Sequence, residues 1–313
     1  MALRSSTFAL YLSGVLVAGS WANPTQHFGH CRGLERGQCR PSDQCLEQGR
    51  FAQARVSYLR PHIANGEAAG LSEFPWMALL LYGDFLVPQC GASLVSDTWV
   101  LTAAHCVLRE DRLEEQLRRV RLGVWDFRQA EDGQDFSIAR SIVHEKYRPD
   151  ETTESYLERY AHDIALLLLA GTVTYTEFIQ PICLPLAFQP SRSDVYADYN
   201  LTIAGWGRTG HECQPISPVK IKARVSGWST DSCRRLYQEV SHGQMCLGGG
   251  ASRRSSCFGD SGGPVMDGNQ LVGIISLGTF TCGSDQKPMV VTRVDTFAMW
   301  LAQHMNVLPW RYL

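Results

Sequence analysis

No two cysteines in this 313-residue chain are separated by only two residues, so the eleven cysteines offer neither zinc-ribbon nor thioredoxin-like spacing. Basic residues form no cluster of note and the formal net charge is −2, which removes the electrostatic footprint that nucleic-acid binding requires. Long apolar runs are scarce. The stretch from Phe8 to Val17 is too short to cross a bilayer, and the next, Ile164 to Ala170, has the length of a strand, so no membrane partner is expected. What is present reads as an exported chain. Arg4, the apolar stretch and Ser20-Trp21-Ala22 have the form of a secretory signal over residues 1–22. In the extracellular space the cysteines are expected to pair, and their odd number leaves at least one free or intermolecular.

Near the C-terminal end, Cys257-Phe258-Gly259-Asp260-Ser261-Gly262-Gly263-Pro264 presents a serine on a backbone almost bare of side chains. Glycines reach unusual φ/ψ values and let main-chain N–H groups approach a reacting carbonyl, which points to acyl transfer with Gly259 and Ser261 as oxyanion donors. A serine hydroxyl is a weak nucleophile unless a base and an orienting group accompany it. Trp99-Val100-Leu101-Thr102-Ala103-Ala104-His105-Cys106 ends an apolar run on a histidine, and His162-Asp163-Ile164-Ala165-Leu166 places an acid at the mouth of a hydrophobic strand. There an unpartnered carboxylate would be expensive to bury.

The order His105, Asp163, Ser261 in these local contexts resembles the trypsin/chymotrypsin family of serine endopeptidases, over Ile63 to Met305. Short strands dominate the reading of this region, at 120–124, 137–143, 201–205, 219–225 and 289–294, with a hairpin turn at Asp267-Gly268. Helical pattern appears in Ser232 to Val240, capped by Thr230 or Asp231, and in a final helix capped by Asp295 and running to His304. Such a pattern suits a sandwich or barrels. The resemblance implies an all-β fold of two antiparallel β-barrels with the active site in the cleft between them, and a C-terminal helix. It also implies bridges Cys90–Cys106, Cys233–Cys246 and Cys257–Cys282, and a Cys183 that holds the pro-segment. Cys31, Cys39, Cys45 and Cys213 stay unassigned. No cofactor or metal is expected. In the acidic loop Asp126 to Asp135, Val124 stands where calcium-binding relatives have Glu, so a solvated charged loop is expected. Asn200-Leu201-Thr202 fits a glycosylation acceptor.

Residues 23–62 read as a cysteine-containing pro-segment, with Cys31, Cys39 and Cys45 resembling half of the clip domain of arthropod serine proteases, and 63–313 as the peptidase domain. Glu73-Phe74-Pro75-Trp76-Met77 also resembles clip-type enzymes. In the family, cleavage frees an α-amino group that pairs with the aspartate before the nucleophile, which assigns Ile63 and Asp260 to activation. Here His62 precedes Ile63, and Arg60 is followed by Pro61, which makes that bond a poor substrate. Either an activator accepts His62 or the chain remains a zymogen.

The specificity pocket implied by the resemblance is lined by Ser255, Ser276, Gly278 and Met289. Ser255 replaces the aspartate that pairs with Arg or Lys in trypsins. Met289 stands where glycine is usual, and Leu277 where tryptophan is common. A restricted, small to medium apolar P1 residue is expected. The expected partners are protein or peptide substrates, an upstream activating protease and serpin inhibitors, in immune or clotting cascades. The alternative is a non-catalytic homologue acting as an extracellular binding or adaptor protein.

Overall fold

The computed structural model describes residues 63–108, 116–129, 133–149, 155, 157–185, 194–208, 216–237, 239–278, 282–283 and 286–306. The expected signal and pro-segment, residues 1–62 with Cys31, Cys39 and Cys45, lie outside these residues, as does Cys213.

Six strands close the first barrel: β2 (Met77–Tyr82), β3 (Val87–Leu94), β4 (Trp99–Thr102), β5 (Leu117–Leu122), β6 (Gln134–Val143) and β7 (Ala165–Leu169), in the order β2-β3-β4-β7-β6-β5. Every pairing is antiparallel. The second sheet has seven strands: β1 (Glu67–Ala68), β8 (Asn200–Gly205), β9 (Ile221–Ser226), β10 (Gln244–Leu247), β11 (Pro264–Asp267), β12 (Gln270–Leu277) and β13 (Met289–Arg293). Its order is β1-β9-β8-β11-β12-β13-β10, and an isolated bridge from Gly227 to Leu247 brings the β9 side back to β10, giving a second barrel-like sheet.

Burial follows from each strand's place. In β9, Ile-Lys-Ala-Arg-Val-Ser alternates inside and outside, because one face meets water. In β2, Met-Ala-Leu-Leu-Leu-Tyr is buried at every position, so period two disappears. One core cluster joins the first barrel to Trp206, Met266, Leu271 and Ile274 of the second and to Phe297, Leu301 and Met305 of the C-terminal segment. At this seam Trp76 Nε1 donates to Met266 Sδ at 3.3 Å.

Several boundaries differ from the sequence reading, each for a local reason. Helix α1 (Thr230–Leu236) is capped by Ser229, whose hydroxyl accepts from Ser232 N–H at 3.2 Å, rather than by Thr230 or Asp231, and it stops short of Val240 because Tyr237 turns extended. Asp295 does not cap the last helix. Arg293 takes its carboxylate at 2.6 Å, and a 3-10 turn over Asp295–Phe297 precedes α2 (Ala298–His304). The hairpin loop is Gly268-Asn269, one residue later than expected, with Gly268 at φ 55. The loop after Val124 is not simply solvated, since Asp126 is buried and paired with Arg128 while Asp135 receives two hydrogen bonds from Arg121.

Replacing Ser229 by Ala should lower the unfolding free energy by about 1 kcal/mol, while Asp231→Ala should change it by less than half of that. Urea unfolding of both variants checks the assignment; equal losses would return the cap to Asp231.

Candidate active site

The histidine sits on a 3-10 turn, Ala104–Cys106, that begins two residues after β4 ends. β4 is pinned between β3 and β7, and β7 begins two residues after Asp163, so the pairing Thr102 with Ala165 brings acid and imidazole to the same barrel rim. Asp163 is fully buried, and three donors surround its carboxylate. Oδ1 accepts the His105 backbone N–H at 2.9 Å, while Oδ2 accepts His105 Nδ1 at 2.7 Å and Ser276 Oγ at 2.6 Å. This arrangement stabilises a charge that burial would otherwise penalise. It also assigns the proton to Nδ1, so the neutral ring keeps Nε2 as an acceptor.

Backbone contacts seat Ser261 against the same rim. Its carbonyl accepts Gly91 N–H at 2.8 Å, and Gly91 follows Cys90, which is bonded to Cys106 beside His105. Cys90, His105 and Cys106 thus cluster within 4.8 Å, but both sulfurs are consumed in a disulfide and the group is no metal centre. Gly262 cannot carry a side chain. A Cβ there would run into Thr102 Oγ1 and the Gly91 carbonyl, and the residue has φ 76. The serine is half-buried, and among the described residues its hydroxyl has no hydrogen-bond partner, so the link from Ser261 to His105 is open in this conformation.

The turn around Ser261 sorts its N–H groups. Asp260, Gly262 and Gly263 donate to Cys257, Ile275 and Asp260 carbonyls, whereas the N–H groups of Gly259 and Ser261 have no acceptor among the described residues. Gly259 has φ 96. Two free donors flanking a serine are what an oxyanion needs. At the rim, Arg208 lies 5.3 Å over the exposed Phe258 ring.

Ser255 and Ser256 are buried, and among the described residues their hydroxyls have no hydrogen-bond partner. Met289 is fully buried, and its sulfur stands 3.4 Å from the Ser256 backbone N, which donates to it. A Cβ on Gly278 would lie 3.5 Å from Ser256 Oγ. Ser256 therefore meets both Met289 and the open side of Gly278.

Ile63 is fully buried in the second-barrel core, and Ala64 bridges to Ser255 and packs on the Cys257–Cys282 disulfide. Ile63 has φ 40, a left-handed conformation that a β-branched residue adopts only under strain. Asp260 is fully buried and accepts Gly207 N–H at 3.0 Å and Cys257 N–H at 2.7 Å. Burial pushes its carboxyl up to about 7 against the downward pull of those two bonds. The bridges Cys90–Cys106, Cys233–Cys246 and Cys257–Cys282 are all formed, and Cys183 is disulfide-bonded to a partner outside the described residues. Asn200 is exposed at the start of β8.

Sequence reasoning missed three contributors. Thr292 Oγ1 donates to the Asp163 carbonyl at 2.9 Å, Tyr160 lies edge-on to His105 with centroids 5.9 Å apart, and Gln244 reaches the turn that carries Tyr160. A polar residue opening the wholly buried strand β10 was the one available signal for Gln244.

A family model described as Trypsin matches residues 63–301. The chain is 35% identical over 276 residues to the Spaetzle-processing enzyme of Drosophila melanogaster, covering 78% of this chain and 66% of that protein. It is 36% identical over 266 residues to the CLIP domain-containing serine protease HP8 of Bombyx mori, covering 78% and 69%. Phenoloxidase-activating factor 3 of Holotrichia diomphalia is 34% identical over 271 residues, covering 78% and 73%. The chain thus spans about two thirds of the length of the first two relatives. Among solved structures, neuropsin, a serine protease expressed in the limbic system of mouse brain, superposes with a TM-score of 0.66 at 30% identity, covering 78% of this chain and all of that one.

Asp260 makes stability depend on pH in a stated direction. An unfolded aspartate titrates near ~3.9, so between about pH 4 and about pH 7 the folded chain holds a proton that the unfolded chain has lost, and stability falls as pH rises through that window. Unfolding of the uncleaved protein across that range should show this decline, and Asp260→Asn should lack it. Parallel slopes for the two proteins would refute the assignment.

Proposed function

The chain belongs to the trypsin family of serine endopeptidases, and from that premise we propose that it hydrolyses peptide bonds with Ser261 as nucleophile, His105 as general base and Asp163 as the group that orients the imidazole. The observation that carries the reading is the buried Asp163 carboxylate, held by three donors and fixing the His105 tautomer. Ser261 Oγ attacks the scissile carbonyl as its proton passes to His105 Nε2, and Asp163 stabilises the resulting imidazolium. The negative oxygen accepts from Gly259 and Ser261 N–H. His105 then protonates the departing amine, leaving an acyl-enzyme that water cleaves by the reverse sequence. The open Ser261–His105 link fits a substrate-free site, where such bonds are commonly long and tighten on binding.

The chain is made for export, with residues 1–22 as signal, 23–62 as a partial clip-like pro-segment and 63–313 as the catalytic domain. Among the described residues no helix is long and apolar enough to cross a membrane. Cleavage after His62 frees the Ile63 amine to pair with Asp260. A carboxyl raised to about 7 with only two backbone donors against it supports that role, because a cation beside it would restore its charge. The disulfide at Cys183 supports a pro-segment retained after cleavage. The relatives' names, one processing Spaetzle and another activating phenoloxidase, support protein substrates in an extracellular cascade, with an activating protease upstream and serpins as inhibitors.

For P1, the Met289 sulfur against Ser256 N supports a shortened pocket that takes small to medium apolar side chains. The same contact favours the second reading, a non-catalytic adaptor whose pocket is sealed.

Protein whose N-terminus has been cut to Ile63 should react with a fluorophosphonate probe, and Ser261→Ala should abolish that reaction without moving the unfolding midpoint. No labelling of the cut protein would favour the adaptor. Met289→Gly should shift peptide cleavage toward large apolar P1 residues by at least about tenfold; an unchanged profile would show that the methionine does not limit the pocket. N-terminal sequencing of the circulating protein should begin the catalytic chain at Ile63.

A further inference from the structure

Two further histidines meet at the residue that orients His105. His162 immediately precedes Asp163 and has φ 61, a left-handed conformation that a residue with a side chain keeps only when its surroundings hold it. The torsion turns the chain sharply: Ile164 N–H donates back to the His162 carbonyl at 2.8 Å, with Asp163 between them. His144, one residue past the end of β6, touches both neighbours of Asp163. Its ring stacks on the His162 ring with centroids 4.9 Å apart and planes at 26°, and its N–H donates to the Ile164 carbonyl at 3.1 Å.

The C-terminal segment closes over this pair. Phe297 stands edge-on to both imidazoles, 5.2 Å from His144 and 5.9 Å from His162, and Trp300 lies 5.2 Å from His144. Glu145 anchors the cover, since its carboxylate accepts Trp300 Nε1 at 3.1 Å and His304 Nε2 at 3.1 Å. The two rings are held neutral. His144 Nδ1 accepts Lys146 N–H at 3.2 Å, which leaves no proton on that nitrogen. Burial, and after it the neighbouring His162, push His144 down to about 4 against the pull of Glu145, whose Oε2 lies 3.9 Å away. Burial and the Lys146 ammonium lower His162 as well.

The carboxylate of Asp163 has little freedom to be wrong. It meets the His105 N–H with one oxygen and Nδ1 with the other, so a small rotation of the residue loses one of the two. Thr292 fixes only the Asp163 carbonyl, and any residue at position 144 would supply the backbone bond to Ile164. What remains to select the left-handed torsion, and with it the direction in which Asp163 leaves the chain, is the His162 ring in its stack. We infer that His144 and His162 are positioning residues: stacked as a pair beside Phe297, they hold the backbone on either side of Asp163 and so keep its carboxylate directed at His105. This rests on the peptidase reading above.

The test compares the full chain after cleavage at Ile63 with its variants, by peptide hydrolysis and by the proton resonance of the His105 Nδ1–H bond to Asp163. That resonance lies downfield of the amide region, because a short charge-assisted bond deshields its proton. His162→Asn keeps a residue that tolerates the left-handed torsion and removes the stacked ring. Its kcat should fall about tenfold with KM little changed, and the resonance should move upfield or broaden away. His144→Ala should do the same, and joining the two substitutions should lose no more than either alone. His144→Phe puts a stacking ring back and should recover most of the rate and the resonance. The inference is overturned if His162→Asn keeps the wild-type kcat and resonance, if the losses of the two single variants multiply, or if His144→Phe is as impaired as His144→Ala. His162 is part-exposed, so its Asn variant decides the matter even where His144→Ala does not fold. A cleaved wild type that fails to react with the fluorophosphonate defeats the peptidase reading, while the resonance still reports whether the pair directs Asp163. One that reacts, and that His162→Asn matches in rate and resonance, defeats this inference alone.

Discussion

A single buried carboxylate organises the molecule. Asp163 lies with no solvent exposure at the seam of the barrels, and its charge is tolerable only because donors from both sides converge on it: the backbone and ring of His105 from the first barrel, the Ser276 hydroxyl from the second. Thr292 adds a bond to its carbonyl. Burying an ionised group without such partners costs several kcal/mol, comparable to the whole net stability of a domain. Docking of the barrels and orientation of the imidazole are therefore one event.

Much of this was legible along the chain because it depends on local chemistry. The strand signals near 201–205 and 289–294 matched β8 and β13 to within a residue, and the glycines around Ser261 announced a bare backbone whose free N–H groups the fold then presents. What escaped notice depends on contacts across the seam. Nothing beside Gln244 in sequence hints that its amide crosses to Leu157, and nothing beside Thr292 points to Asp163. Capping was misjudged for a similar reason: Thr230, Asp231 and Ser229 are all competent, and only the actual entry angle of the chain selects Ser229. Asp295 lost its helix to Arg293, an ion pair two residues away that outweighs a cap.

The pocket shows the opposite balance. Among the described residues Ser255 and Ser256 carry buried hydroxyls without hydrogen-bond partners, and the Met289 sulfur, a weak acceptor, is what the Ser256 amide finds. Together with the protonated tendency of Asp260, this concentrates unmet polar demand on the second-barrel side of the cleft, away from the well-satisfied Asp163.

The backbone at Ile63 adds a direction to that incompleteness. Its left-handed torsion is defined through the carbonyl carbon of His62 and carries on the order of 1–3 kcal/mol of strain for as long as the two residues remain joined. A cut after His62, the cleavage proposed above, would delete that torsion, and resealing the backbone would have to rebuild it.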